Sequence, residues 1–230
     1  GHSMAFLPSG SSAYMLYVKD EQPSLAKLLA AQGYSVRAQH PYYARGWNRT
    51  TVYPLLGLSP FASLETLFDV APFTAYLQSG DMEALEAAME TQYPNDKVLV
   101  RQYIGDAYNY KLLIDNYEMR DKEKPYFMFN VTMQNHGGYE REGYPAFEEK
   151  IHLTGEYEGK YQQVDTYLSL VRCSDEAVQE LVSYFANVSE DTAIIFFGDH
   201  QPNVPSAFYD ELYGNTDAER SREQKQTKLI

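Results

Sequence analysis

Positive charge, cysteine and long apolar runs are all scarce in this sequence. Only 19 lysines and arginines stand against 32 acidic residues, which leaves a net charge of −13. That balance opposes recruitment to nucleic acid or an anionic bilayer by general attraction, since both are polyanions. It does not oppose a local phosphate pocket, where a few basic groups and a cation set the field. A single cysteine, Cys173, excludes an internal disulfide. It lies in an apolar-periodic stretch and reads as a small buried hydrophobe. Cysteine scarcity suits the cytosol and also bacterial surfaces that do without disulfides, so it does not fix a compartment. No apolar run approaches the roughly 18 to 20 residues of a membrane span, and no signal peptide is visible. Internal repeats and low-complexity linkers are also missing.

What is present suits one large α/β domain. The chain has 230 residues, 44% of them hydrophobic, enough for a sizeable core. Tyrosine is abundant, at 21 residues; this suits a cleft that handles sugars or glycerol, and equally a compositional bias. Ser24 is placed to cap a helix whose Leu25, Leu28 and Leu29 form an apolar stripe ending at Gly33. A strand follows over 34–38, then a helix over 48–56. Residues 57–74 read as irregular. Helices are expected over 82–92 and 107–118, with a strand or extended turn at 96–104 between them. A second strand covers 125–133. A polar loop then runs from His136 to about Thr154, long enough to suggest a lid over a site. One long helix or two in tandem fill 157–187, with Ser174-Asp175 as interruption and cap. A third strand is expected at Ala193–Phe197, and a polar helix over 218–228. Asp106 and Arg101 are close enough in sequence for a structural ion pair.

The chemistry gathers at strand ends. Residues 195 to 203 read Ile-Phe-Phe-Gly-Asp-His-Gln-Pro-Asn: an apolar run, a glycine, then an adjacent carboxylate and imidazole. Open α/β sheets place their sites at the carboxyl ends of strands. One anionic oxygen beside one imidazole suits Mn²⁺ or Zn²⁺. The plain alternative is a strand ending in a polar turn with no metal. The second strand also runs into a polar loop with a histidine, His136. The first is followed by His40 and then Gly46-Trp47-Asn48-Arg49. A parallel sheet would gather such loops at one edge. His152 has no supporting residues and reads as a surface side chain.

These stretches, H-x6-W-N-R, F-x-F-N-V-T-M-Q-N-H-G and F-F-G-D-H-Q-P, resemble the extracellular catalytic domain of lipoteichoic acid synthases and related phosphoglycerol transferases, in the sulfatase-like branch of the alkaline phosphatase superfamily. The resemblance runs from Met4 to about Tyr213. It implies a mostly parallel sheet sandwiched by helices, with residues 1–230 as a single incomplete domain cut at both ends. It further implies that Asp199 and His200 are ligands of a divalent metal, manganese first, with zinc, magnesium or calcium as alternatives. His136 would be the catalytic and substrate-binding histidine, and His40, Trp47 and Arg49 would line the phosphoglycerol pocket. Arginine offers a planar fork to phosphate oxygens, histidine can protonate a leaving alkoxide, and an indole packs on glycerol carbons.

The resemblance also carries a departure. The family's nucleophile is a threonine, and it and a glutamate ligand fall N-terminal to the Met4 segment; no threonine precedes Thr50. The chain alone is therefore expected to be catalytically inactive and to bind metal weakly, through two ligands. The implied partner is a phosphatidylglycerol-type lipid headgroup or a glycerol-phosphate polymer, not nucleic acid. The implied location is the extracellular face of a bacterial membrane, reached through N-terminal helices outside this soluble segment. Two other functions fit the residues: a sulfatase, phosphatase or phosphodiester hydrolase of the same superfamily, and a non-catalytic module that binds teichoic-acid-like polymers.

Overall fold

A computed structural model describes residues 13–140 and 147–213. The Met4 segment and the expected helix over 218–228 lie outside the described residues, as does part of the 136–154 loop. In chain order the elements are α1 (Ala13–Leu16), α2 (Leu25–Ala31), β1 (Ser35–Gln39), α3 (Arg49–Leu55), β2 (Phe61–Ala62), α4 (Leu64–Leu67), α5 (Ala71–Ser79), α6 (Met82–Gln92), β3 (Leu99–Val100), β4 (Tyr103–Ile104), α7 (Asp106–Glu118), β5 (Tyr126–Asn130), α8 (Gln162–Phe185) and α9 (Ser206–Tyr213). Helices and a parallel sheet make this an α/β fold, as expected. None of the described helices is long and apolar enough to cross a membrane. The described residues divide into two compact units, the first holding those up to 98 and those from 108 to 133, the second those from 99 to 107 and those from 134 onward.

The first unit holds a three-stranded sheet in the order β2-β1-β5, all parallel. β1 is the centre, pairing Ser35 to Gln39 with Tyr126 to Asn130 in unbroken register. Ala38 of β1 packs with Ala26, Tyr53 and Leu58 in a core that also takes in Phe61, Phe127 and Phe129. Gln39 sits fully buried in this strand because its side chain is satisfied. Its amide donates to the carbonyl and side-chain oxygens of Asn109 at 2.9 and 2.7 Å, and its oxygen accepts from Asn116 at 3.1 Å.

Several expectations need correction here. Ser24 does cap α2, accepting from the Lys27 amide at 3.1 Å, but Leu25 and Leu28 face solvent and Ala26 is the buried residue. Leucine spacing marks an apolar stripe without saying what covers it. Residues 57–74 are not irregular: they contain β2, α4 and the start of α5. Strands as short as β2 carry too few residues for a period-2 pattern to register.

The second unit is organised by α8, a single 24-residue helix. Ser174 does not interrupt it, because its hydroxyl has tertiary partners and does not compete for the local backbone. It donates to Asp106 Oδ2 at 2.6 Å and accepts from the Gln134 and Asn135 amides at 3.0 and 2.8 Å. The buried stripe of α8 mixes Val164, Leu170 and Leu181 with Asp165, Ser169 and Ser174. The polar members satisfy a loop that has no ladder of its own. Ser169 Oγ accepts from the amides of Lys150 and Ile151 at 3.0 and 2.9 Å, and Asp165 Oδ1 accepts from Leu153 at 2.7 Å. Residues 150–153 are thus docked on α8. An apolar core of Tyr139, Tyr161, Val164, Leu170 and Val204 completes the unit.

The expected third strand, Ala193–Phe197, is not a strand. Ile195 and Phe196 are 78% and 67% exposed, and no ladder is formed by this run. Its composition is that of a buried strand, but a strand exists only as one side of a hydrogen-bonded pair, and composition cannot supply the partner. Cys173 is half-buried rather than enclosed.

Candidate functional site

In the first unit, β1 runs directly into His40, whose amide donates to the Ala62 carbonyl of β2 at 2.9 Å. The ladder thereby fixes where the imidazole begins. The turn that follows is held to α4: the Glu65 carboxylate accepts from the Ala44 amide at 2.9 and 3.0 Å. Trp47 and Asn48 then adopt left-handed backbone conformations in succession, with φ of 48° and 58°. Two such residues in a row are disfavoured for side chains with a Cβ and persist only where surroundings impose them. The result is a stack. The Trp47 indole lies 5.7 Å from the His40 ring at 17°, and the Arg49 guanidinium lies 5.2 Å from the indole centroid and 6.0 Å from that of Tyr42. Gly46 permits this, since a Cβ there would come within 3.1 Å of both Arg49 and Tyr42.

Arg49 is 1% exposed and donates to the Tyr43 carbonyl. Burial pulls its pKa below the ordinary arginine value, and nearby Tyr53, Tyr14 and Glu65 oppose that shift. Burial also pushes Tyr53 up to about 12 despite the guanidinium. The arginine keeps its charge, because a guanidinium is not deprotonated in proteins. His40 is buried with it, while Trp47 is 38% exposed and forms the accessible face. All three residues expected to line a phosphoglycerol pocket are therefore brought together.

The other three are brought together in the second unit. His136 lies within electrostatic reach of Asp199 and His200. Partial desolvation is the largest influence on its imidazole and drives the pKa below the ordinary 6.5; a backbone hydrogen bond at Gly137 opposes this, and the neighbouring His200 and Arg101 add to it. Its loop is gripped from two sides. Gln134 Oε1 accepts from the Asp106 amide at 2.9 Å, and Gln134 Nε2 donates to the Leu170 carbonyl at 3.1 Å. Arg101 donates to the carbonyls of Gln134, His136 and Gly138, the first two at 3.0 and 2.9 Å. Asp106 and Arg101, expected as an ion pair, thus each serve this loop, the first through Ser174 and Gln134. Tyr103 Oη lies 3.2 Å from His136 Nδ1.

Asp199 and His200 are exposed, and His200 lines a cavity of about 420 Å³ together with Tyr167, Phe208 and Tyr209. Among the described residues no group of three or more candidate ligands is poised around a metal. The pair itself nevertheless fits one. His200 Nδ1 meets the Gln201 carbonyl at 2.7 Å, which fixes the ring and leaves Nε2 outward. Nε2 lies 3.5 Å from Asp199 Oδ2. Two ligands at about 2.1 Å from one cation in tetrahedral geometry lie about 3.4 Å apart, so the spacing of the two atoms is compatible with a shared ion. His152, expected at the surface, is exposed, with Nδ1 3.7 Å from the buried Asp165.

Residues 4–228 match the Sulfatase family profile. The chain belongs to the sulfatase family. It is 30% identical over 211 residues to the "Putative cyclic beta-1,2-glucan modification protein" of Rhizobium meliloti (strain 1021), covering 90% of this chain. It is 23% identical over 197 residues to the lipoteichoic acid synthase-like YvgJ of Bacillus subtilis (strain 168), covering 84%. The chain spans 28% and 26% of the length of these two relatives, about a quarter of each. Two solved structures share its fold, each with a TM-score of 0.53. The lipoteichoic acid synthase LtaP from Listeria monocytogenes is 15% identical, with 77% of this chain and 36% of that one covered. The Streptococcus pyogenes phosphoglycerol transferase GacH, in complex with sn-glycerol-1-phosphate, is 23% identical, with 85% and 42% covered. This sulfatase-family chain is thus similar to lipoteichoic acid synthases and phosphoglycerol transferases within the alkaline phosphatase superfamily, as its motifs imply.

Arg101 and Tyr103 are the site-side residues that the motifs do not mark. The one local signal is an arginine at a tight turn with φ of 54°, a position that favours glycine.

Proposed function

We propose that this chain carries the phosphoester-binding part of a metal-dependent phosphoglycerol transferase acting on glycerol-phosphate diesters of the phosphatidylglycerol type. One observation supports the reading: Asp199 Oδ2 and His200 Nε2 lie 3.5 Å apart, and His136 lies within electrostatic reach of both residues. Asp199 and His200 would hold a divalent cation, with Mn²⁺ ahead of Zn²⁺, Mg²⁺ and Ca²⁺, and its chemistry there would be Lewis-acid polarisation of a phosphoryl oxygen. His136 favours its neutral form, since burial lowers its pKa, and its one ring N–H donates a hydrogen bond to a phosphoryl oxygen. Trp47 offers its exposed indole face to glycerol carbons. His40 and Arg49 lie beneath it, and the arginine contributes a fixed positive charge rather than an open fork, since water scarcely reaches it. The Rhizobium relative's name favours a sugar hydroxyl as the acceptor. The site of action is the outer face of a bacterial membrane.

The test is calorimetry of Mn²⁺ and sn-glycerol 1-phosphate, each titrated in the absence and presence of the other. Each ligand is expected to tighten the other about tenfold, and Asp199→Ala to abolish that coupling. Glycerol phosphate binding that ignores both Mn²⁺ and Asp199 would sink the transferase reading and favour a non-catalytic polymer-binding module. With Asp199 established, release of free glycerol phosphate to water by the full-length protein, in place of transfer, would indicate the hydrolase.

A further inference from the structure

We infer that the β3–β4 hairpin is a clamp that positions His136, with Arg101 holding the backbone of its loop and Tyr103 holding its ring. This rests on the reading of His136 as the group that meets the phosphoester. Arg101 occupies a two-residue hairpin turn at φ 54°. Such turns favour Gly, Asn or Asp at positive φ. An arginine there is unexplained by the turn and explained by its side chain. Arg101 is 3% exposed, and its guanidinium donates to three carbonyls of one loop, those of Gln134, His136 and Gly138, which lie 33 to 37 residues away in sequence. Its charged plane also lies 5.8 Å from the Tyr103 ring centroid and 5.6 Å from that of Tyr139. Lysine has neither the planar fork nor the width to reach three carbonyls at once.

Tyr103, two positions on, acts on the ring itself. Its hydroxyl lies 3.2 Å from Nδ1, and the two rings meet edge to face at 70°. Gly138, held through its carbonyl, adopts a φ of 92° that favours glycine. Gln134, tied to Asp106 and α8, anchors the other end. The loop is therefore ordered before any ligand arrives, which is what precise proton placement requires. An arginine that merely filled the core would need neither the ring contact nor three acceptors on the segment that carries the histidine.

Three variants test the clamp: Arg101→Gly, which suits the positive φ and so preserves the turn, Arg101→Lys, and Tyr103→Phe. The readouts are the His136 ring-nitrogen shifts, amide exchange over residues 134–138, and affinity for sn-glycerol 1-phosphate with Mn²⁺. Tyr103→Phe is expected to shift the His136 tautomer ratio and weaken affinity about tenfold while leaving the thermal midpoint in place. Arg101→Gly is expected to accelerate exchange at 136–138 at least about tenfold, with Arg101→Lys in between. A tautomer ratio unchanged in Tyr103→Phe, or loop exchange unchanged in Arg101→Gly, overturns the clamp. If the ring and loop respond but His136→Ala leaves affinity unaltered, the clamp stands and the role given to His136 in the transferase falls.

Discussion

The two units solve the problem of placing charge in opposite ways. In the first, Arg49 is sealed under Trp47 and beside His40, on a turn with two consecutive left-handed residues. In the second, Asp199 and His200 stand in solvent, and order is invested in the neighbouring His136 loop. A buried cation is costly to desolvate and must be fully provided for when the chain folds. An exposed carboxylate and imidazole cost little to hold and acquire their strong field only when a cation arrives. The first arrangement makes a permanent electrostatic feature, the second a conditional one.

Four perturbations sharpen or break this contrast. Arg49→Ala should have the largest effect on stability, a loss of about 3 kcal/mol, because it empties a buried space and strips Tyr43, Tyr42 and Trp47 of their shared partner; chemical denaturation checks it. A loss below about 1 kcal/mol would mean that the sealed charge is not structural. Ser174→Ala should cost about 2 kcal/mol in the second unit, since Asp106, Gln134 and Asn135 all lose a buried partner. Trp47→Ala, at a half-open position, should change stability little yet weaken sn-glycerol 1-phosphate binding about tenfold. Asp199→Ala should leave the apo melting temperature unchanged while cancelling the rise that Mn²⁺ produces in the wild type; a drop without metal would show that the pair is structural.

The pH dependence is the smallest effect and bears on the second unit. His136 has a folded-state pKa below the ordinary 6.5. The unfolded chain therefore binds the proton more tightly. Stability from this group is full above about 6.5 and falls as pH drops through the window between that value and the lowered one. His136→Gln should flatten this acid-side slope, measured by thermal melts across pH.

Local pattern was enough for much of the framework. Ser24 before Leu25, the apolar spacing of Met82 to Gln92 and the short β-rich runs at 35–39 and 126–130 specify elements through contacts a few residues apart. The six candidate site residues could also be named from their motifs, and the structure gathers them as two sets of three, His40, Trp47 and Arg49 in one unit and His136, Asp199 and His200 in the other. Pattern failed where the deciding partner lies far along the chain. Ile195 and Phe196 have the composition of a strand but form no ladder here. Ser174 looks like a helix stop and is absorbed by Asp106, 68 residues away.

What the sequence by itself determined, then, is the family, the α/β character and the identity of the chemical groups, all of which rest on local spacing and residue type. Only the tertiary structure decided which charges are buried, which carbonyls Arg101 grips and which ring stacks on His40. The Arg101 contacts join groups 33 to 37 positions apart, and the His40–Trp47 stack depends on two left-handed residues that the surrounding fold imposes; no short-range rule encodes either.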